Sequence, residues 1–150
     1  MWWWGYGLLK DIIPYVLAIL TGIFTTIEAT VNAQLGRFVT PKIATLHSLF
    51  VGLLVMLIAN ILNGSLSQYS KVSNVDLQWL IGGIFGALII YLLTLTIPKL
   101  GVTITLTIVI TSQILSSFCI DTFILKQQQL ELIKIIGAFL VITGLYFIME

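Results

Sequence analysis

"IATLHSLFVGLLVMLIANIL", Ile43 to Leu62, runs for twenty residues without an Asp, Glu, Lys or Arg. A hydrocarbon core about 30 Å thick takes roughly 20 apolar residues to cross as an α-helix. The stretch therefore reads as a transmembrane span. Thr40-Pro41 in front of it suits an N-cap followed by proline in the first turn.

Comparable runs recur along the chain. Spans are predicted at residues 12–35, 43–62, 77–97, 102–125 and 132–149, with residues 1–11 as an interfacial N-terminal segment rich in Trp and Tyr. Only 9% of the 150 residues are charged and 59% are hydrophobic, whereas a soluble domain carries about 25% charged residues. The fold class is an all-α membrane protein, a single transmembrane domain built as a bundle of five helices. Its connections are short. "NGSLSQYSKVSNVD", Asn63 to Asp76, is the longest polar loop, and Trp79 beyond it is an interfacial anchor. "PKLG", Pro98 to Gly101, is tight enough to make the third and fourth spans antiparallel neighbours, and "KQQQLE", Lys126 to Glu131, joins the last two. No loop leaves room for an extramembrane domain.

Several classes are disfavoured at once. A net charge of +1 with scattered basic residues argues against nucleic acid, which calls for a basic patch or stripe. The single cysteine, Cys119, cannot form an internal disulfide. Val31-Asn32-Ala33 resembles a signal-peptidase cut, but the apolar stretch before it exceeds the roughly 7–15 residues of a signal h-region, and Glu28 sits close by. The first span is read as retained. No P-loop, zinc or nucleophile motif is present and His47 has no companion at metal-ligand spacing, so neither an enzyme nor a metal or other cofactor is expected.

Charge distribution bears on orientation. Lys10, Lys71, Lys126 and Lys134 fall on the side of the N-terminus, and Arg37, Lys42 and Lys99 on the other. Orientation normally follows a Lys/Arg excess in the cytoplasmic loops. Four against three is nearly balanced, which predicts insertion both ways round; the alternative is a weak preference settled by the first span or by a partner.

Polar groups inside the spans carry the functional signal. Thr21, Thr25, Glu28 and Asn32 share one helical face. An acid at the centre of a span costs about 2.5–3.5 kcal/mol on insertion scales, and is kept where it faces the bundle interior, a wet cavity or a partner. There it can exchange a proton or a cation. The alternative is a structural glutamate bonded within the bundle or reaching toward Arg37. In the fourth span Gln113, Ser117 and Asp121 share a face, with Ser112, Ser116, Thr103, Thr107 and Thr111 adding polarity. Serine and threonine often bond back to their own helix, but the Gln113 amide needs partners for two donors and an acceptor. Asp121, near the helix end, is either pocket-lining or interfacial. Gly82, Gly83 and Gly86 let a neighbouring helix approach closely, as static packing or as a sliding contact.

These residues add up to a resemblance. "GIFTTIEATVNAQLGR" from Gly22, "WLIGGIFGALI" from Trp79, "IPKLG" from Ile97, Gln113, Asp121-Thr122-Phe123 and the glycines Gly137 and Gly144 occur in one order. Together they resemble the YdcZ-type family, a five-helix, half-size branch of the drug/metabolite transporter superfamily. The resemblance implies a bacterial inner-membrane transporter in which two five-helix halves pair, as homodimer or heterodimer, around a central pocket. It departs in two places: relatives are expected to carry an amide, usually glutamine, where this chain has Glu28, and the Trp-rich N-terminus has no counterpart in the family pattern. The expectation is thus an antiparallel homodimer moving a small cationic or zwitterionic solute by proton-coupled alternating access. Glu28 would be the proton or cation site, positioned by Asn32, with Thr25, Gln113 and Asp121 lining the route. The competing expectation is a non-transporting membrane partner or assembly subunit, or one half of a heterodimer with a homologous five-helix protein.

Overall fold

A computed structural model describes residues 3–120 and 132–149, with side-chain surroundings for 12–120 and 136–148. The described residues are helical almost throughout: α1 Trp3–Phe38, α2 Pro41–Leu62, a 3-10 helix Ser65–Asn74, α3 Leu77–Leu80, α4 Gly82–Leu100, α5 Val102–Cys119 and α6 Leu132–Met149. Four segments are long and apolar enough to cross a membrane, namely Ile12–Phe38, Pro41–Leu62, Leu77–Leu100 and Val102–Cys119. Ile136–Ile148 is a shorter apolar stretch. The chain divides into two compact units, Met1–Lys99 and Leu100–Glu150.

Local chemistry sets the helix ends. Thr40 is extended at φ −149° and ψ 156°, and its hydroxyl accepts from the Ile43 N–H at 3.2 Å, with Pro41 following in the first turn. This is the cap expected from Thr40-Pro41. At the other end of α2 the chain turns through Gly64 at φ 66° into the 3-10 helix. The composition of residues 63–76 predicts only a polar loop. Its serines explain the difference. Ser70 and Ser73 donate to the carbonyls of Ser67 and Ser70, three residues back, at 2.9 and 2.8 Å, which favours the tighter winding.

Other boundaries also shift. The first helix extends beyond 12–35 at both ends. The third span is broken at Ile81, just before the Gly82-Gly83 pair, where missing side chains make a helix costly to hold. It then runs past its predicted end at Ile97, taking Pro98 into its last turns, and stops only at Gly101. Helix α6 spans the range expected for the fifth span. The predicted end of the fourth span, from residue 121 to 125, lies outside the described residues.

In the first unit, α1 and α2 pack on each other and α2 packs on the 3-10 helix; in the second, α5 packs on α6. The buried apolar residues are mostly small or few: Ala29, Ala33, Ala44, Leu93, Ile97 and Leu106. Large residues such as Phe24, Phe50, Leu53, Phe85 and Phe139 face outward. Lipid tails solvate those side chains as well as a protein core does, so helices meet where small residues let their backbones close up. The contact at Gly36 is the tightest such place. A Cβ there would stand 2.6 Å from Thr94 Cγ2, 3.6 Å from Pro41 Cα and 3.8 Å from the Ala44 Cβ. At Gly82, Gly83 and Gly86, by contrast, an added Cβ would meet nothing within 4 Å. Among the described glycines of the first unit, Gly36 is the one that stands at a helix–helix contact.

Candidate functional site

Helix α1 presents Ala29, Asn32, Ala33 and Gly36 along one stripe, spaced three and four residues apart. Ala29, Asn32 and Ala33 are buried, as are Ala44 and Thr45 on α2. With no bulky side chain between the two helices, short polar groups can reach across. Asn32 Nδ2 donates to the Ser48 hydroxyl at 3.1 Å, and Ser48 Oγ donates to Glu28 Oε1 at 3.3 Å. The three groups form one directed chain, amide to hydroxyl to carboxylate.

The ends of that chain differ in exposure. Asn32 is 5% exposed, Ser48 is half-buried and Glu28 is exposed. Glu28 lies three residues past the middle of the Ile12–Phe38 span, about 4.5 Å along the axis from its centre. The carboxyl group is thus anchored on α2 and exposed within the first unit. Its observed partner is Ser48, a bond within the bundle as one form of the alternative reading expects, and not Arg37. Asn32 acts on Glu28 through Ser48.

Thr25 shares the Glu28 face and is exposed, but its hydroxyl donates to its own helix, to the Thr21 carbonyl at 2.8 Å. Gln113 is exposed on α5, in the second unit, and its amide has no hydrogen-bond partner among the described residues. Asp121 lies outside the described residues. Five hydroxyls of α5 fall into two groups. Thr107, Ser112 and Ser117 donate to carbonyls of the preceding turn, whereas the buried Thr105 and Thr111 hydroxyls find no partner among the described residues.

Ser48 is the site residue that sequence reasoning missed. It stands between His47 and Leu49 in a strongly apolar span and looks incidental. The signal that was there is its spacing: Ala44 and Ser48 repeat on α2 the four-residue interval of Ala29 and Ala33 on α1. His47, one residue earlier, lines a separate shallow groove with Ile43, Leu46 and Phe50.

A model of the DMT_YdcZ family, described as "Putative inner membrane exporter, YdcZ", matches residues 13–147. The chain belongs to the YdcZ family. Neither a curated protein nor a solved structure matches it. Family membership makes it an integral inner-membrane protein of the exporter type, as the sequence resemblance implied. The family match extends across both compact units and contains every residue of the Asn32–Ser48–Glu28 chain.

Proposed function

We propose that this YdcZ-family chain exports a small cationic or zwitterionic solute from a bacterial cell in exchange for protons, by alternating access. The observation that carries the reading is the Glu28 carboxylate, bonded to Ser48 and uncovered at intermediate depth in a transmembrane span. A carboxyl group inside a span can hold either a proton or a cationic solute at the same place. Competition for one carboxylate is a sufficient basis for exchange. The Ser48 and Asn32 groups hold the acid in one orientation while either occupant comes and goes.

The same exposure supports a dimer. Ionisable groups within spans face protein or water rather than lipid, and the described residues of the first unit leave Glu28 exposed. A second copy, or a homologous five-helix partner, would close the cavity. The nearly balanced basic residues on the two sides support an inverted pairing, and an inverted repeat with its site near the midplane is a recurrent carrier design. The uncovered Gly82, Gly83 and Gly86 supply a surface for close contact with the other copy. Gln113 and Asp121 are assigned to the solute route on the strength of their spacing in the sequence.

The test is proton flux from liposomes holding the purified protein, driven by a panel of amine and quaternary ammonium solutes. Solute-dependent proton movement is expected for the natural sequence and its loss in Glu28→Gln, with helix content unchanged. Equal flux in that variant removes Glu28 from the mechanism.

A further inference from the structure

Three cations at one end of the first unit have no part in the exchange just described. Arg37 lies in the last turn of α1, Lys42 in the first turn of α2 and Lys99 in the last turn of α4. The Gly36 contact draws these helix ends together, because its neighbours are Thr94 of α4 and Pro41 and Ala44 of α2. Arg37 follows Gly36 and Lys42 follows Pro41 directly, while Lys99 stands five residues beyond Thr94, about 7.5 Å along the axis. All three are exposed, and none has a hydrogen-bond or ion-pair partner among the described residues. Nor does the sequence supply a nearby acid: none occurs between Glu28 and Asp76 or between Asp76 and Asp121.

Helix electrostatics account for two of the three. A cation is favoured at a helix C-terminus, where Arg37 and Lys99 lie, and opposed at an N-terminus, where Lys42 lies. What adjoins Lys42 is a groove of about 480 Å³ lined by Lys42, Thr45, Ile84, Ala87, Leu88 and Tyr91. The Thr45 hydroxyl is already committed to the Pro41 carbonyl at 2.8 Å. That leaves an apolar trough with a positive charge at its mouth, opening where two transmembrane helices end.

We propose that this groove binds an anionic phospholipid. Its phosphate would sit on Lys42, with Arg37 and Lys99 beside it, and an acyl chain would lie against Ile84, Ala87 and Leu88. Three cations without a neighbouring carboxylate offer nothing to the ammonium of a zwitterionic headgroup, so the net negative lipid is selected. Basic pockets between transmembrane helices take anionic headgroups on this principle.

The experiment is native mass spectrometry of the full chain, mixed in detergent with equal amounts of phosphatidylglycerol and phosphatidylcholine of identical acyl chains. Phosphatidylglycerol should be retained several-fold over phosphatidylcholine. Lys42→Gln and Arg37→Gln should each lower its retention about fivefold, the factor one basic group contributes at an anionic surface. Phosphatidylcholine should be unaffected by either. Ala87→Trp, which fills the trough, should lower retention of both lipids. Excess inorganic phosphate should leave the phosphatidylglycerol adduct intact. Equal retention of the two lipids by the natural chain overturns the proposal without recourse to any variant. So do unchanged retention in the triple Arg37→Gln, Lys42→Gln, Lys99→Gln chain and displacement by phosphate.

Discussion

The Ser48 hydroxyl donates to Glu28 Oε1 across the α1–α2 contact, and receives the Asn32 amide at 3.1 Å on its other side. One hydroxyl thereby couples a buried amide to an uncovered acid. Replacing Ser48 by Ala removes the donor and leaves the carboxylate in place. Solute-driven proton flux in liposomes should fall about 2- to 10-fold, the range that a hydrogen bond worth about 0.5–1.5 kcal/mol allows. Ser48→Thr, which keeps the hydroxyl, should restore most of it. Identical flux in all three chains would show that Ser48 orients nothing.

The fit of Gly36 against Thr94 sets a steric prediction. A methyl at Gly36 would overlap Thr94 Cγ2, and the Thr94 rotamer is held by its bond to the Ile90 carbonyl at 2.8 Å. Gly36→Ala should therefore destabilise the first unit by about 1–3 kcal/mol, the usual cost of overpacking. Thr94→Ser deletes the clashing methyl and keeps the hydroxyl. In a double-mutant cycle followed by thermal unfolding in detergent, Gly36→Ala should be markedly less harmful in the Thr94→Ser background. Strict additivity would place the clash elsewhere.

Thr105 and Thr111 respond in the opposite direction. Their hydroxyls are buried with no partner among the described residues, and an unsatisfied polar group costs about 1–3 kcal/mol. Valine is close to threonine in shape, so Thr105→Val and Thr111→Val should hold or raise the melting temperature. A clear fall for either would reveal a hydrogen bond made in the working protein.

Thr40 offers a local check on α2. Thr40→Ala should cost about 1 kcal/mol and speed hydrogen exchange at the Ile43 amide that Thr40 holds at 3.2 Å. Thr40→Asp preserves an acceptor and should leave that exchange slow. Fast exchange in the Asp variant would mean that the cap is not the side chain's doing.

Orientation is tested with a reporter fused after Glu150. Signal from both faces of the membrane is expected, and adding two lysines to the loop between Arg37 and Lys42 should tip the mixture toward one face. A single orientation in the unaltered chain would exclude self-pairing of inverted copies.

How much of this was legible in the residues depends on range. The Thr40-Pro41 cap involves neighbours in sequence, and apolar run length reports directly on lipid, so α2, α6 and the class of the protein could be read off. Glu28 stood out because acids are expensive in a span. Ser48 did not, because one serine costs little anywhere in a helix and its meaning lies sixteen and twenty residues away, in Asn32 and Glu28. The glycines show the same limit. Gly82, Gly83 and Gly86 form the more obvious motif, yet among the described residues of the first unit it is Gly36 that meets a neighbour, because closeness is decided by which helices cross. The 3-10 helix was hidden for another reason: its serines prefer turns without specifying which kind.

Gly101 joins α4 to α5 at φ 85° and ψ 162°, a combination that L-amino acids other than glycine essentially do not adopt. Gly64, at φ 66° and ψ 12°, lies in the milder left-handed region that asparagine tolerates. The two glycines are therefore not equivalent substitution sites. Asparagine should be accepted at 64 and rejected at 101, where a mirror-image alanine introduced by semisynthesis would fit better than the natural enantiomer.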